Sequence, residues 1–118
     1  MTASSRLVWR LILLLALVFA VTMALLPHPP KVPIDGDKYQ HMLAFGTLTV
    51  LSVLSFPKSP LLRIGERLSF LGAMIEVVQS IPALHRDCDI MDWVADTAVI
   101  TGVLVVVAIV RRLRSSAI

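Results

Sequence analysis

Three stretches of this 118-residue chain carry polar side chains at intervals of three or four residues, which places them on one face of a helix. Carboxylates and histidine can bind divalent cations and transfer protons, and lysine and arginine bind phosphate groups. The stretches therefore predict a site for a cation or a phosphate group. Its candidate residues are Asp37, Lys38 and His41 in the first stretch, Glu76 and Gln79 in the second, and Arg86, Asp89, Asp92 and Asp96 in the third.

Three of these residues lie well inside the apolar segments that contain them. At a rise of about 1.5 Å per residue, His41 lies about 6 Å past Asp37, and Glu76 and Asp96 each lie about 9 Å from the nearest segment end. A charged side chain at the centre of a bilayer-spanning helix costs about 2.5–3.5 kcal/mol on insertion scales. We therefore expect these residues to face one another at a common depth rather than the lipid. We also expect His41, Glu76 and Asp92 to form one cluster, with Lys38 and Arg86 near it.

Three interpretations account for the carboxylates. Asp37, Asp89 and Asp92 could cap helices and complement their dipoles, which is worth about 0.3–1 kcal/mol each. Glu76 and Asp96 are too deep for capping, but a buried ion-pair or hydrogen-bond network could fix the helix packing. In the third interpretation Glu76, Asp92 and Asp96 hold a divalent cation of the Mg²⁺ type.

Four apolar segments must position these side chains. Hydrophobic residues make up 57% of the chain and the mean hydropathy is +0.84, which favours a bilayer environment over a water-facing surface. The predicted helices cover residues 7–26, 37–56, 61–81 and 90–110. Prolines lie in each of the three connections and end the helices there. We therefore expect an all-α fold, a four-helix transmembrane bundle in one domain of residues 1–118. A cleaved signal peptide is the alternative interpretation of the first segment.

The distribution of lysine and arginine predicts the orientation in the cell membrane. Cytoplasmic loops of membrane proteins carry an excess of basic residues. With both termini in the cytoplasm, the inner side would carry Arg6, Arg10, Lys58, Arg63, Arg67, Arg111, Arg112 and Arg114, and the outer side would carry Lys31, Lys38 and Arg86. This count predicts a multi-pass protein of the cell (inner) membrane whose polar site faces outward.

The same charges do not indicate a nucleic-acid partner. The net charge is +3, but the basic residues lie beside apolar segments and form no basic face with interleaved aromatic residues. The single cysteine, Cys88, excludes an intrachain disulfide and leaves a disulfide to a partner as the alternative to an inert thiol. Membrane lipids are therefore the expected partners, and the oligomeric state does not follow from the sequence.

The spaced polar residues resemble a known family, the VanZ-like membrane proteins. The resemblance covers about residues 37–102, and the first segment matches only as a generic span. It includes the apolar run from Met42 to Phe45 and Gly102 in the fourth segment. The motifs that carry it are Asp37-Lys38-x-x-His41, Glu76-x-x-Gln79 and Arg86-x-x-Asp89-x-x-Asp92-x-x-x-Asp96. The family is named for a protein that raises resistance to teicoplanin, so the resemblance implies a role in the cell envelope.

Two positions depart from the family pattern. The chain has Asp96 where asparagine is usual, which adds a negative charge, and Val99 where glycine is usual, which we expect to loosen packing at that turn. We expect Gly46, Gly72 and Gly102 to permit close contact between helices.

Three functions of different classes remain open from the sequence, and whether the protein is an enzyme is one of the open points. The first is a non-enzymatic envelope protein that binds a lipid headgroup, a lipid-linked envelope precursor or a protein partner, with Lys38 and Arg86 on phosphate. The second is a metal-assisted membrane enzyme acting on a lipid-linked phosphate, with His41 moving the proton. A small transporter is the third, and the apolar inner half of the segments argues against it.

Overall fold

The computed structural model describes residues 2–25, 37–81 and 90–116, except the side chains of Asp37 and Lys38. These residues form four α-helices and no strand: α1 (Ala3–Leu25), α2 (Asp37–Ser55), α3 (Leu61–Gln79) and α4 (Ile90–Ser116). The all-α prediction is therefore confirmed, as are the number and order of the helices.

Prolines define the helix ends around the short connection between α2 and α3. The residue before a proline is disfavoured in the helical conformation, and α2 ends at Ser55, two residues before Pro57. Pro60 precedes the first residue of α3 with an extended backbone, φ −59° and ψ 135°. Its carbonyl accepts the first helical hydrogen bond, from the Ile64 backbone N–H at 3.2 Å. The tight connection makes α2 and α3 an antiparallel hairpin.

Two boundaries differ from the prediction. Helix α4 continues to Ser116, six residues beyond the predicted end at Val110. The apolar pattern stops at Val110, but arginine is a good helix former and its charge is favourable near a helix C-terminus. Helix α3 ends at Gln79 rather than residue 81, and the Ser80 backbone N–H bonds back to the carbonyls of Glu76 and Val77.

Helix α2 is the centre of the bundle. It packs against α1, α3 and α4, and α3 also packs against α1 and α4. The buried apolar side chains come from all four helices, and α2 supplies the most of them. They are Leu13 from α1, Phe45, Leu48, Leu51 and Val53 from α2, Ile64, Leu68 and Ile75 from α3, and Ile100 from α4.

Small residues allow the helices to approach closely. A Cβ atom added to Gly46 would lie 3.2 Å from Cγ1 of Val99, so Gly46 makes the space that Val99 fills. The expectation that Val99 loosens this turn is therefore wrong, because the opposing helix accommodates the side chain. Gly65, which was not predicted, lies against Leu104, at 2.9 Å from its Cδ1 by the same measure. The expectation for Gly102 is also wrong, because nothing described lies within 4 Å of its added Cβ.

Three hydroxyl groups on α2 bond within their own helix. The hydroxyls of Thr47, Thr49 and Ser52 donate to the carbonyls four residues earlier, at 2.8, 2.6 and 2.7 Å. Bonds of this kind satisfy polar groups without water, as an apolar surrounding requires. Between helices, the hydroxyls of Ser69 and Thr97 lie 2.9 Å apart and connect α3 to α4.

Large apolar side chains cover the outside of the bundle. Leu15 of α1 is 70% exposed, Phe70 of α3 is 67% exposed, and Leu113 of α4 is 65% exposed. Helices α1 and α4 are long and apolar enough to cross a membrane, and only 11% of the tested stretch of each is buried inside the protein. Most of the surface of these two helices therefore faces outward and is apolar.

Arginine side chains cover the C-terminal end of α2. The Arg10 Nε–H donates to the carbonyl of Ser55 at 3.0 Å, and its guanidinium lies 4.6 Å from the centre of the Phe56 ring. Arg111 of α4 donates to the Pro57 carbonyl at 3.4 Å. The last carbonyls of a helix lack partners within the helix and attract cations. These contacts give a structural reason for Arg10, the one basic residue within the first apolar segment.

Candidate functional site

Three helix termini meet at one end of the bundle, here called the site end. Helices α2 and α4 begin there and α3 ends there, which brings together the described residues of the three predicted polar stretches. Gly46 opposite Val99 and Pro57 opposite Arg111 show that α2 and α4 run parallel. The helix periodicity then turns His41, Glu76 and Asp92 into the interior, each from a different helix.

His41, Glu76 and Asp92 form one buried cluster. They are 8%, 5% and 5% exposed, and each offers a nitrogen or oxygen atom that lies within 4.8 Å of the atoms of the other two. Asp92 lies in the first turn of α4, where the helix dipole favours a negative charge. The arrangement brings two carboxylates and one imidazole close enough to bind a single cation.

Asp96 lies behind His41, one helical turn deeper than Asp92. Its Oδ2 is 3.7 Å from Nδ1 of His41, and the residue is 1% exposed. Its Oδ1 has no hydrogen-bond partner among the described residues. The space for this carboxylate comes from Gly72, where an added Cβ would lie 3.4 Å from Asp96 Oδ2 and 3.5 Å from Cδ1 of Trp93.

The composition of the cluster differs from the predicted metal-binding set. The sequence predicted the cluster of His41, Glu76 and Asp92, but it assigned the metal ion to Glu76, Asp92 and Asp96. The atoms that lie within 4.8 Å of one another belong to His41, Glu76 and Asp92. Asp96 instead lies next to Nδ1 of the His41 ring. The equal depth of Glu76 and Asp96 is also wrong, because α3 ends at Gln79. Glu76 therefore lies about 4.5 Å from the end of its helix on the standard rise.

Gln79 connects α3 to α1 at the site end. Its Nε2–H donates to the Ala24 carbonyl at 2.8 Å, and the residue is 1% exposed. Ala24 is one residue from the end of α1, where carbonyls lack partners within the helix. In this structure Gln79 therefore positions α1 beside the cluster.

A small cavity adjoins His41 between α1, α2 and α3. Its volume is about 30 Å³, which leaves room for a water molecule or an ion. Apart from His41 its lining is apolar: Ala20, Val21, Ala24, Ala44, Phe45, Leu48, Leu71 and Ile75. The His41 ring thus lies between this cavity and the Asp96 carboxylate.

Four of the predicted site residues are not described at the level of their side chains. The backbones of Asp37 and Lys38 form the first turn of α2, but their side chains lie outside the described part. Arg86 and Asp89 lie outside the described residues altogether. The sequence placed all four near His41, and that placement stays a prediction.

One polar contact beside the site was missed from the sequence. The indole Nε1–H of Trp93 donates to the Ser69 carbonyl at 3.0 Å, next to the bond between Ser69 and Thr97. Trp93 and Thr97 are four residues apart and share a helix face, a spacing that could have indicated a polar seam between α3 and α4. This seam connects α4 to α3 next to the site.

Comparison with known proteins adds no assignment for the site. No protein-family model matches the chain, and no curated protein or solved structure matches it either. The resemblance to the VanZ-like proteins therefore stays a hypothesis that rests on the motifs between Asp37 and Gly102.

Proposed function

We propose that this chain is a multi-pass protein of the cell membrane, with four spans and both termini in the cytoplasm. In this proposal the site end faces outward and binds the phosphate-bearing headgroup of a lipid or lipid-linked envelope precursor. The observation that carries it is the meeting of His41, Glu76 and Asp92 in the interior of a bundle whose outside is apolar. Ionisable groups so placed are costly, and they are typical of functional sites.

The packing of α2 and α3 against the two most apolar helices supports the proposal of four spans. Judged by composition alone, α2 and α3 are too polar to be spans. Several of their polar residues, however, are buried in the interior of the bundle. Within α2 the buried hydroxyls of Thr49 and Ser52 also bond to their own helix, which suits a segment without access to water. Polar residues that face partners rather than lipid make such helices compatible with a bilayer.

Phosphate recognition would use the basic residues that the motifs place near the cluster. Lysine and arginine bind phosphate through charge-assisted hydrogen bonds. Lys38 precedes His41 by one helical turn, and Arg86 precedes α4 by four residues. Both belong to the smaller set of basic residues on the proposed outer side, where positive charge does not serve the usual orientation rule.

The proposed function can be tested with purified protein in detergent. Native mass spectrometry would compare the retention of phosphatidic acid and of a polyprenyl phosphate with that of phosphatidylcholine as a neutral-headgroup reference. We expect Lys38→Ala and Arg86→Ala each to reduce retention of the two phosphate lipids about tenfold, whereas Lys58→Ala at the opposite end should not. Equal retention of all three lipids by the unaltered protein would contradict the proposal.

A second function is favoured by the same cluster. Two buried carboxylates and an imidazole are also the side chains of a metal-assisted hydrolase, in which His41 would transfer a proton and the carboxylates would bind the ion. Release of inorganic phosphate from a polyprenyl diphosphate would support this enzyme, provided that Glu76→Gln abolishes it. Turnover that survives Glu76→Gln would assign the activity to another protein in the preparation.

A further inference from the structure

We propose that His41, Glu76 and Asp92 bind one divalent transition-metal ion of the zinc class, and that Asp96 holds the His41 ring in position for it. The ion would lie between the three helices at the site end. This assignment of the ligands does not depend on the proposed function, whereas the consequence for phosphate binding drawn below rests on it.

The distances suit a single small ion. Zinc binds histidine nitrogen at about 2.0–2.1 Å and carboxylate oxygen at about 2.0–2.2 Å, so its tetrahedral ligands lie about 3.4 Å apart. The three ligand atoms of the cluster already lie within 4.8 Å of one another. The ligand atoms would therefore have to approach one another by at most about 1.4 Å to reach that spacing. Three protein ligands leave one coordination position open, as in catalytic zinc sites.

Asp96 lies where it could supply the outer contact that a metal-bound histidine usually makes, once the 3.7 Å separation shortens to a hydrogen bond. Such a histidine donates its other ring N–H to a carboxylate, which fixes the tautomer and the ring orientation. The Oδ2 of Asp96 lies 3.7 Å from His41 Nδ1, which leaves Nε2 as the nitrogen for the metal. Asp96 is 1% exposed and its Oδ1 has no hydrogen-bond partner among the described residues, so its placement calls for a purpose beyond packing.

The donor types select the kind of metal. Carboxylates alone would suit Mg²⁺ or Ca²⁺, whereas an imidazole nitrogen favours transition metals such as zinc. The replacement of Asp96 by His41 in the cluster therefore changes the expected ion from the Mg²⁺ type to the zinc type. A doubly charged ion would also balance the two ligating carboxylates, Glu76 and Asp92, in an apolar interior where unbalanced charge is costly.

A bound ion would explain how an acidic site receives a phosphate group. Glu76, Asp92 and Asp96 together present negative charge, which repels an anionic headgroup. A doubly charged metal ion in the cluster would offset two of these three negative charges and offer its fourth position to a phosphate oxygen. The proposal therefore makes headgroup binding dependent on the metal as well as on Lys38 and Arg86.

The test measures metal binding by the full-length protein in detergent, after removal of metal with a chelator. Competition with a chromophoric chelator would give the Zn²⁺ affinity, and elemental analysis would give the stoichiometry. We expect one Zn²⁺ per chain and much weaker Mg²⁺ binding. His41→Ala, Glu76→Gln and Asp92→Asn should each weaken Zn²⁺ binding by more than about 100-fold, and Asp96→Asn by about 10–100-fold, as is typical of an outer contact.

The matched control is Glu66→Gln, the same substitution on the same helix. Glu66 is exposed on α3 and ten residues from Glu76, so its loss should leave the Zn²⁺ affinity unchanged. Circular dichroism would confirm that each variant keeps its helices. Should a variant unfold, the visible spectrum of bound Co²⁺ tests the site instead. In the unaltered protein it should show nitrogen and oxygen ligands, and in Glu76→Asp it should change because the carboxylate side chain is shorter.

The outcomes separate this inference from the proposed function. Zn²⁺ binding that is absent from the unaltered protein, or equal in Glu76→Gln and Glu66→Gln, would overturn the metal site. Phosphate lipid retained in the presence of chelator would also reject metal-dependent binding while it supports the function through Lys38 and Arg86. Tight Zn²⁺ binding without retention of either phosphate lipid would reject the function and keep the metal site.

Discussion

Asp96 is a buried carboxyl group with few described polar contacts. It is buried at the deepest level of the site, and its one described polar contact is the 3.7 Å approach to His41. An asparagine of nearly the same shape would keep an acceptor oxygen near the imidazole and remove a buried negative charge. Buried carboxylates without full hydrogen bonding are destabilising, because the charged form is poorly solvated there.

We therefore expect Asp96→Asn to leave the metal-free protein at least as stable as the original. Thermal unfolding followed by circular dichroism in detergent would measure it, in the presence of a chelator. The same substitution should lower Zn²⁺ affinity, so stability and metal binding should change in opposite directions. A large fall in metal-free stability would show instead that the Asp96 charge holds the helices together.

The sequence predicted which residues meet at the site, but it assigned Asp96 rather than His41 to the metal-binding set. Intervals of three and four identified the inward faces of α2, α3 and α4, and His41, Glu76 and Asp92 all lie there. The rotation of each helix relative to its neighbours depends on interhelical packing. The periodicity of a single helix does not predict that packing. That rotation places His41 in the cluster and puts Asp96 behind it.

At the scale of the helices, Gly46 and Val99 form a close contact between α2 and α4. Replacing a helix-interior glycine by alanine favours the helix by about 1 kcal/mol, but overpacking of a core contact costs about 1–3 kcal/mol. The Val99 side chain is stiff because it branches at Cβ, so it yields poorly to an added methyl group 3.2 Å away.

The net effect of Gly46→Ala on stability should therefore change when Val99 is shortened. We expect Gly46→Ala to lower the free energy of unfolding by about 1 kcal/mol in the original protein. In a Val99→Ala background the same change should be neutral or stabilising by up to about 1 kcal/mol. Gly102→Ala, which faces open space, serves as the control and should behave like the second case. Equal effects of Gly46→Ala in both backgrounds would show that the contact does not limit packing.

A second prediction at this scale concerns Arg10. Its bond to the Ser55 carbonyl and its contact with Phe56 join α1 to the end of α2. A charged hydrogen bond contributes about 1.5–3 kcal/mol when buried, but Arg10 is exposed, so we expect about 1 kcal/mol. Chemical denaturation in detergent should therefore show that Arg10→Ala destabilises the protein and that Arg112→Ala, on the exposed end of α4, does not. Equal effects of the two substitutions would contradict this role.

The sequence predicted the helix ends correctly where a proline ends the helix. It did not predict the end of α4, where charged residues continue the helix. Pro57 and Pro60 predicted the hairpin between α2 and α3, because proline constrains the backbone whatever surrounds it. The extension of α4 past Val110 was missed because hydropathy reports the length of an apolar stretch, and a helix can continue beyond it. The contact of Gly65 with Leu104 was missed for the same reason as the rotation of the site helices.

For the whole molecule the main prediction is its orientation. Basic residues outnumber acidic ones at the end opposite the site, and the acidic residues concentrate at the site end. We expect a reporter that is active only outside the cytoplasm to be inactive when fused after Ile118 and active when inserted between Pro27 and Gly36. Activity at Ile118 would overturn the orientation, and inactivity at both positions would contradict the four-span arrangement.

The dependence of α2 on all three other helices also bears on how the protein is made. If all four helices span the membrane as we propose, α1 can enter the bilayer alone, but α2 and α3 carry His41 and Glu76 into it before α4 has been synthesised. The partner residues Asp92 and Asp96 arrive only with the last helix. The hairpin must therefore wait, held near the insertion machinery or the membrane surface, until translation is nearly complete. Premature termination before Ile90 should leave an insertion intermediate with exposed polar groups, which membrane quality control would recognise and degrade.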